Sequence, residues 1–286
     1  MPASNLTESL SASRFIFTAH FYCYANECFL LFPSQVIAMF EDYKDIFNQR
    51  GNLYHQAMLD YPNARKKEFE AAIDLLDLAD GQILCDVPSG GGYINNFIDK
   101  TVKVISVETS SEFIRCAKER DRISSMICEE VSNVPLTSET IDRVVSLAGL
   151  HHVKHQSHFF QETYRLLKPS GIIAIADVLV ESTVDEFLNQ FVDANSSTGH
   201  KGDFLGNHTI SELNSAGFEV TYAEPHQYCW QFDSVESMVR CCKLLFGIDR
   251  ADNEKTLSGI EQFLGYQVKD HCCLMNWQLY FVQAVK

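Results

Sequence analysis

Short apolar runs alternate with segments of helical periodicity through the middle of the chain. Five of these runs are continuously hydrophobic, as are strands that are buried on both faces of a parallel sheet: QILCDV (82–87), VKVISVE (102–108), SMICEEV (125–131), IDRVVSLAG (141–149) and IIAIADVLV (172–180). Helical patterns separate the runs, and two further strands are expected near the C-terminus. The pattern predicts an α/β fold: a Rossmann-like, doubly wound, mostly parallel seven-stranded sheet with helical lid insertions.

The same patterning divides the chain into a core and added helical segments. Two T-x-x-E sequences, Thr109 with Glu112 and Thr209 with Glu212, predict capping boxes at two helix starts. The predicted organisation is an N-terminal extension (1–40), a helical cap (41–80), the Rossmann-like core (81–180), a lid helix and loop (181–208), a core helix and strand (209–233), a helical lid (234–272) and a final core strand (273–286).

Residues with distinctive chemistry fall at the predicted carboxyl ends of the strands. Acids end three of the runs or lie close to their ends, and the stretch CDVPSGGGYI (85–94) places three glycines directly after the first strand. Parallel sheets bind ligands at this edge, and glycine lets a ligand approach the backbone closely. A dinucleotide and a sulfonium cofactor both fit such a turn. The dinucleotide fingerprint matches poorly, because Asn95 stands where a small residue is needed.

Taken together, these motifs resemble the class I S-adenosylmethionine (SAM)-dependent methyltransferases, in particular the small-molecule group related to quinone-biosynthesis enzymes, the methyltransferase type 11 group. The family's acid-x-G-x-G-x-G motif appears here as Asp86-Val87-Pro88-Ser89-Gly90-Gly91-Gly92, with Pro88 in place of the first glycine. The stretches DRVVSLAGLHHV (142–153) and ETYRLLKPSGIIAIAD (162–177) resemble the later motifs. The resemblance is close over residues 60–180.

The resemblance implies SAM as cofactor and a role for each motif residue. Asp86 would orient the methionine amine, Glu108 would accept both ribose hydroxyls, and Glu130 would accept from the adenine amine. The positions implied to bind SAM are Asp86, Pro88, Ser89, Gly90, Gly92, Glu108, Thr109, Glu130, Val131 and Leu147. Arg65, before the first strand, would either pair with the cofactor's carboxylate or be solvated at the surface.

Histidines form the candidate chemistry on the acceptor side. His151, His152 and His200 are candidate catalytic bases, although a structural role for His152 and an ordinary surface loop around His200 are alternatives. His151, His155 and His158 have helical ligand spacing, but no acid or cysteine nearby in the sequence completes a tetrahedral set, so we expect no metal. Residues 193–207, 234–270 and the His151/His152 strand end are expected to wall the acceptor pocket.

Composition narrows the classes of function. The net charge of −15 disfavours nucleic acid as a partner. Ten cysteines without a C-x-x-C pair favour a reducing, cytoplasmic setting, and polar residues interrupt the aromatic stretch 14–32, so no stable membrane span is expected. We predict methyl transfer to a small apolar or aromatic acceptor. A nicotinamide-dependent oxidoreductase and a non-catalytic SAM-binding protein are the alternatives.

Overall fold

The structure, a computed structural model, describes residues 43–118, 124–128 and 130–286. The interpretation of residues 1–40 as an extension lies outside the described residues. Within them, one sheet contains eight strands: β1 (Ile83–Asp86), β2 (Lys103–Glu108), β3 (Ser124–Ile127), β4 (Ile141–Leu147), β5 (Leu167–Asp177), β6 (Glu219–Phe232), β7 (Tyr266–Lys269) and β8 (Cys272–Val285).

The strand order is β3-β2-β1-β4-β5-β8-β6, and β7 pairs with β8 at the side of this path. Strands β1 to β5 are parallel to their neighbours, whereas β8 is antiparallel to β5, β6 and β7. This doubly wound, mostly parallel arrangement confirms the predicted fold class. The order of the strands reverses between β1 and β4, and such sheets bind ligands at this switch point.

Helices flank the sheet in the order that the sequence pattern indicates. They are α1 (Tyr43–Asp60), α2 (Lys66–Asp74), α3 (Ser111–Lys118), α4 (Gln156–Leu166), α5 (Thr183–Glu186), α6 (Asp193–Asn195), α7 (Asn207–Ala216), α8 (Val235–Phe246) and α9 (Asn253–Phe263). A π-helical segment, Phe187–Val192, joins α5 to α6, and short 3₁₀ helices span Tyr93–Asn96 and Leu150–His152. No helix in the described part of the chain is long and apolar enough to cross a membrane.

Both predicted capping boxes are wrong in register. Helix α3 is capped by Ser110, whose hydroxyl accepts from the Phe113 N–H at 3.3 Å, while Glu112 pairs with Arg115 instead. Helix α7 begins at Asn207, so Thr209 lies within its first turn and accepts from the Gly206 N–H at 3.0 Å. At α3 the cap is the residue next to the predicted one, and at α7 the cap is Gly206, three residues earlier, so a four-residue pattern alone does not fix the position of a helix start.

Two predicted element boundaries also need correction. Helix α4 ends at Leu166 and not at Pro169, because Leu167 already pairs with Ile141 at the start of β5. The predicted helical lid 234–272 contains strand β7, which forms a hairpin with β8. Asp270 and His271 have φ values of 49° and 67° in that turn, the left-handed geometry that suits a two-residue hairpin.

A long antiparallel ribbon formed by β6 and β8 extends beyond the sheet. The pairing runs from Glu219 opposite Val285 to Phe232 opposite Cys273, whereas β5 covers only the Tyr280–Val285 part of β8. The free half of the ribbon packs against α8. There Trp230 and Trp277 stack with their ring centroids 4.3 Å apart, and Phe246 lies 5.7 Å from Trp277. The ribbon thus adds an aromatic wall beside the carboxyl ends of the strands.

Candidate functional site

The glycine turn after β1 has a backbone that favours glycine. Gly90, Gly91 and Gly92 have φ values of 54°, 94° and 71°, all in the left-handed region. No atom lies within 4 Å of the position that a Cβ of Gly90 would take, so the space beside this residue is open. Gly92 begins the 3₁₀ helix at Tyr93. The turn therefore presents bare backbone immediately beyond the end of β1.

The proline that departs from the family motif is accommodated by a second glycine. A Cβ on Gly149 would lie 2.9 Å from Cγ of Pro88, a separation that real Cβ atoms essentially never show. Gly149 directly follows Ala148, just beyond β4, and both line the same cleft as Pro88. The departure at Pro88 is thus matched by the missing side chain at Gly149.

Two buried acids, Asp86 and Glu108, end the adjacent strands β1 and β2. Oδ2 of Asp86 has no hydrogen-bond partner among the described residues. Burial, and secondly the charge of Glu108, raise the pKa of Asp86 well above its usual value. Asp86 also lines the cleft beside the glycine turn. An unpartnered buried carboxylate oxygen is costly unless a ligand pairs with it.

The Glu108 carboxylate is held by several donors. Its Oε1 accepts from the Thr109 and Ser110 N–H groups at 2.9 Å, and its Oε2 accepts from the Gly90 N–H at 2.8 Å and from the Tyr43 hydroxyl at 3.0 Å. Burial raises the pKa of Glu108 to about 7, although these hydrogen bonds act in the opposite direction. Glu108 thereby ties the glycine turn to α1.

The cleft beside the glycine turn, which we call the glycine cleft, is nearly filled by aromatic side chains. Tyr43, Phe47 and Tyr54 of α1 enter it from one side, and Tyr93 and Phe113 line it too. Its free volume is about 30 Å³, far below the roughly 300–1,000 Å³ of a typical ligand pocket. Helix α1 therefore closes the cleft in this conformation.

The other residues predicted from the motifs lie on two cavities. Asp86, Pro88, Ser89, Gly90 and Leu147 line the glycine cleft, whereas Gly92 does not. Thr109, Glu130 and Val131 line a separate side cavity of about 270 Å³, which Tyr43 also borders. The Glu130 carboxylate is exposed and accepts from the Ser132 hydroxyl at 3.2 Å, whereas Val131 is buried.

Arg65 is not solvated at the surface, so that alternative is wrong. It is buried, lines the glycine cleft and forms an ion pair with the fully buried Glu68. Its Nη1 also donates to the Tyr54 hydroxyl at 2.6 Å. Glu68 accepts further hydrogen bonds from Trp230 Nε1 at 2.9 Å and from the Tyr228 hydroxyl at 3.2 Å. Arg65 and Glu68 thus join α2 to the aromatic ribbon.

Three histidines, the adjacent pair His151 and His152 and the distant His200, meet at the end of β5. We call them the histidine cluster. The ring centroids of His151 and His152 are 4.1 Å apart, and His200 lies 5.4 and 5.1 Å from them. All three are buried. Burial, and secondly the nearby His151 ring, lower the pKa of both His152 and His200 well below the usual value, so both imidazoles are neutral near pH 7.

Hydrogen bonds fix the rings of two members of the cluster. Nδ1 of His151 lies 2.6 Å from Oδ1 of the buried Asp177, and Asp177 Oδ2 accepts from the His151 backbone N–H. Nδ1 of His200 lies 3.2 Å from Oδ1 of Asn189, whose amide donates in turn to Asp185. Because a carboxylate and an amide oxygen accept, both rings carry the proton on Nδ1 and leave Nε2 as an acceptor.

The helical ligand spacing considered for His151, His155 and His158 does not bring these residues together. The 3₁₀ helix ends at His152, and His155 has a φ of 56° before α4 begins, so the segment is not one helix. His155 and His158 instead lie with their ring centroids 5.7 Å apart and border the side cavity. His200, from a loop beyond α6, takes the third place beside His151 and His152.

The histidine cluster lines two spaces. One is an apolar pocket that we call the aromatic chamber, of about 40 Å³, bordered also by Trp230, Trp277 and Phe246 and sharing Phe47, Tyr54 and Arg65 with the glycine cleft. The other is a larger outer cavity of about 460 Å³, lined also by Asp193, Lys201 and Asp203. The predicted walls 193–207 and 234–270 each contribute residues to one of these spaces.

Sequence reasoning missed several residues of the site. Asp177 ends a buried strand, as Asp86 and Glu108 do, and that position was a usable signal. Tyr43 and Phe47 belong to no motif, and Asn189 is one polar residue of a helical segment. The contacts of these three arise only when α1 and the π-helical segment pack over the ends of the strands.

Comparison with known proteins assigns the middle of the chain to a described family. Residues 85–175 match the model of a methyltransferase domain. The chain is 26% identical over 172 residues to the arsenite methyltransferase of Halobacterium salinarum, an alignment that covers 55% of this chain and 42% of that protein. It is 24% identical over 147 residues to the demethylmenaquinone methyltransferase of Protochlamydia amoebophila, covering 46% and 60%. The chain spans about half the length of these curated relatives.

Solved structures show the same fold. A putative methyltransferase from Bacillus halodurans superimposes with a TM-score of 0.57 at 19% sequence identity, covering 77% of this chain and 99% of that protein. At this identity the likeness concerns the fold alone.

Proposed function

We propose that this chain, whose residues 85–175 match a methyltransferase domain, transfers the methyl group of SAM to a small apolar or aromatic acceptor held in the aromatic chamber. The observation that carries the proposal is the pair of buried acids, Asp86 and Glu108, which flank a bare glycine turn at the switch point of the sheet. The other residues that the family resemblance implies for SAM binding lie in the glycine turn, in the glycine cleft or in the side cavity.

The residues of the glycine cleft fit the cofactor chemically. The unpartnered Oδ2 of Asp86 suits a cationic amine, and the space beside Gly90 admits a chain that approaches the backbone. Glu108 offers carboxylate oxygens to a diol, once Tyr43 gives up its hydrogen bond. The side cavity, which is lined by Glu130, Val131 and Thr109, would hold the adenine ring of SAM. The free volumes of the cleft and of the aromatic chamber, about 30 and 40 Å³, require α1, which lines both, to shift as the cofactor and the acceptor enter.

SAM supplies a methyl group that its sulfonium already activates, so the protein mainly aligns the acceptor and excludes water. Cofactor placed along β1, β2 and β3 directs its methyl toward β4 and β5, where the aromatic chamber begins. Tyr54 and Phe47 line both the cleft and the chamber and would separate the reacting groups from solvent. Arg65, whose charge is balanced by Glu68, adds a hydrogen-bond donor to the wall that the cleft and the chamber share.

The chamber supports an apolar or aromatic acceptor. Its walls include two tryptophans, two phenylalanines and three leucines, a composition typical of pockets for apolar ligands. The curated relatives named above act on unlike molecules, arsenite and demethylmenaquinone, so the acceptor class is argued from this chamber. Catalytic roles for His151, His152 and His200 stay predictions. Of the three, His151 is the best-oriented proton acceptor, because Asp177 fixes its Nδ1 proton.

The direct test measures SAM binding by calorimetry in wild type and in Glu108→Gln. Loss of a charged acceptor for the ribose hydroxyls should weaken binding by about 1–3 kcal/mol, or about 5- to 150-fold. Glu112→Gln is the matched control, since Glu112 lies on α3 and pairs with Arg115 outside the cleft, and its affinity should equal that of wild type. Equal affinity in Glu108→Gln would contradict the cofactor assignment.

A second measurement separates the classes of function. Labelled SAM incubated with the protein and a metabolite extract should yield labelled product and S-adenosylhomocysteine. Binding of SAM without turnover would instead indicate a non-catalytic SAM-binding protein. A change in nicotinamide absorbance without transfer of label would indicate an oxidoreductase.

A further inference from the structure

We infer that the histidine cluster, His151, His152 and His200, binds a divalent transition-metal ion with one coordination position open to the acceptor. The site itself is argued from the described residues alone. Only the role given to the open position rests on the proposed methyl transfer.

The cluster has the composition and spacing of a three-nitrogen site. One ring nitrogen of each histidine lies within 4.8 Å of a ring nitrogen of the other two, and all three side chains are buried. Nitrogens bound to a tetrahedral ion at about 2.0–2.1 Å lie about 3.3 Å apart. Side-chain rotations that move each ring by roughly an ångström would therefore close the site around an ion.

The groups behind the rings are those that metal-binding histidines use. Histidine ligands typically donate their other ring N–H to a carboxylate or carbonyl oxygen, which fixes the ring and its tautomer. His151 donates from Nδ1 to Asp177, and His200 donates from Nδ1 to Asn189. Asn189 is itself held, since its Oδ1 accepts from the Gly202 N–H at 2.9 Å. A single catalytic base needs one such support, whereas this cluster supports two rings independently.

Charges near the cluster act in both directions. The Asp177 carboxylate, bonded directly to a ligand ring, favours a cation, and Asp193 and Asp203 line the adjoining outer cavity. Arg50 borders the aromatic chamber and opposes a cation, although its Nη1 is engaged with the Leu245 carbonyl at 2.9 Å. Lys201 is paired with Asp193 at 2.7 Å. Three imidazoles favour Zn²⁺, Co²⁺, Ni²⁺ or Cu²⁺ over the oxygen-preferring Mg²⁺ and Ca²⁺.

Three protein ligands leave a fourth position, as in catalytic zinc sites. The cluster borders the aromatic chamber, so an acceptor hydroxyl in the chamber could occupy that position. The ion lowers the pKa of the bound hydroxyl, whose proton leaves to water in the outer cavity. The oxygen then forms a bond to the methyl carbon as the carbon–sulfur bond breaks, and S-adenosylhomocysteine leaves uncharged. The acceptor class is therefore an apolar or aromatic molecule that carries a hydroxyl group.

The experiment is a titration of the full-length, untagged, chelator-treated protein with Co²⁺ and then with Zn²⁺, in the absence of SAM. Wild type should bind one equivalent of Co²⁺ with the intense visible bands of a tetrahedral site, and Zn²⁺ should displace it. His151→Gln and His200→Gln should each weaken Co²⁺ binding at least tenfold. Asn189→Leu, which removes the support of one ring, should weaken it by about 10- to 100-fold.

His208→Gln is the matched control, because His208 is an exposed histidine on α7 away from the cluster. It should bind Co²⁺ as wild type does. Visible bands that persist in both cluster variants, loss of binding in the control, or no stoichiometric binding by wild type would each overturn the inference. Thermal unfolding of every variant identifies any that is misfolded. If a histidine variant is misfolded, the Co²⁺ affinity of Asn189→Leu tests the inference in its place. SAM affinity, measured separately, reports on the proposed function independently of the metal result.

Discussion

The Tyr43 hydroxyl donates a 3.0 Å hydrogen bond to the same oxygen of Glu108 that accepts from the Gly90 N–H. Tyr43 also packs with Phe47 and Phe113, with ring centroids 4.7 and 6.4 Å away. Tyr43, at the start of α1, is thus hydrogen-bonded to the carboxylate that the family resemblance expects to bind the ribose hydroxyls of SAM. Binding of the cofactor and closure of α1 on Glu108 are therefore expected to compete.

Tyr43→Phe should remove this competition while leaving the ring in place. The closed state loses a hydrogen bond to a charged acceptor, worth about 1.5–3 kcal/mol. The free protein should therefore be less stable in urea, and SAM should bind more tightly, by up to about 10- to 150-fold. Tyr61→Phe is the control, because Tyr61 packs on Phe232 outside the cleft. Weaker SAM binding in Tyr43→Phe would show that the hydroxyl contacts the cofactor instead.

The stability of the free protein should depend on pH through Glu108. Burial raises the pKa of this carboxyl from 4.5 to about 7, so the folded state holds a proton that the unfolded chain releases. The contribution of Glu108 to stability therefore falls as pH rises from about 4.5 to about 7, by about 3 kcal/mol, and is constant above that range. Urea unfolding at pH 5, 6 and 7.5 measures the fall. It should be smaller in Glu108→Gln, and an identical fall would contradict the assignment.

Glu68→Gln should be strongly destabilising. The substitution leaves the Arg65 guanidinium buried without its counter-charge, a loss of about 3–5 kcal/mol, and weakens the acceptor of Trp230 Nε1. Glu70→Gln is the matched control on the same helix, since the Lys66–Glu70 pair is exposed. It should change the free energy of unfolding by less than about 1 kcal/mol. Similar losses in the two variants would contradict a role for buried charge.

Residues 1–38 should be dispensable for cofactor binding. The motifs that resemble the SAM-binding family all follow this segment in the sequence. A truncated chain of residues 39–286 should stay soluble and bind SAM with wild-type affinity by calorimetry. Aggregation together with loss of binding would show that the preceding residues complete the fold.

The parallel strands and the acids at their ends could be predicted because both have local signals. A strand buried on both faces is a continuous apolar run, and its last residue lies at the ligand edge by topology. Asp86 and Glu108 were found in this way, and Asp177 carries the same signal. Capping patterns were less informative, because adjacent residues such as Thr109 and Ser110 compete for one role.

The rest of the site depends on contacts between distant segments. His200 reaches His151 only because Asn189 and Asp193 fix its loop, through hydrogen bonds to the His200 ring and backbone N–H. Tyr43 reaches Glu108 because α1 packs across α3. Neither of these contacts produces a recognisable periodicity or spacing in the sequence. The cluster of three histidines therefore could not be assembled from the motif that contains His151 and His152.

Strands β6 and β8 belong both to the central sheet and to the wall of the aromatic chamber. Along β8, Cys273, Met275, Trp277 and Leu279 are buried at alternate positions, and the intervening side chains are more exposed. Trp230, Trp277 and Leu279 face the chamber, while the far end of β8 is anchored by β5. Diversifying these three positions offers a route to altered acceptor choice that leaves the cofactor-binding residues and the sheet's hydrogen-bond ladder unchanged, because backbone pairing does not depend on which side chains point inward.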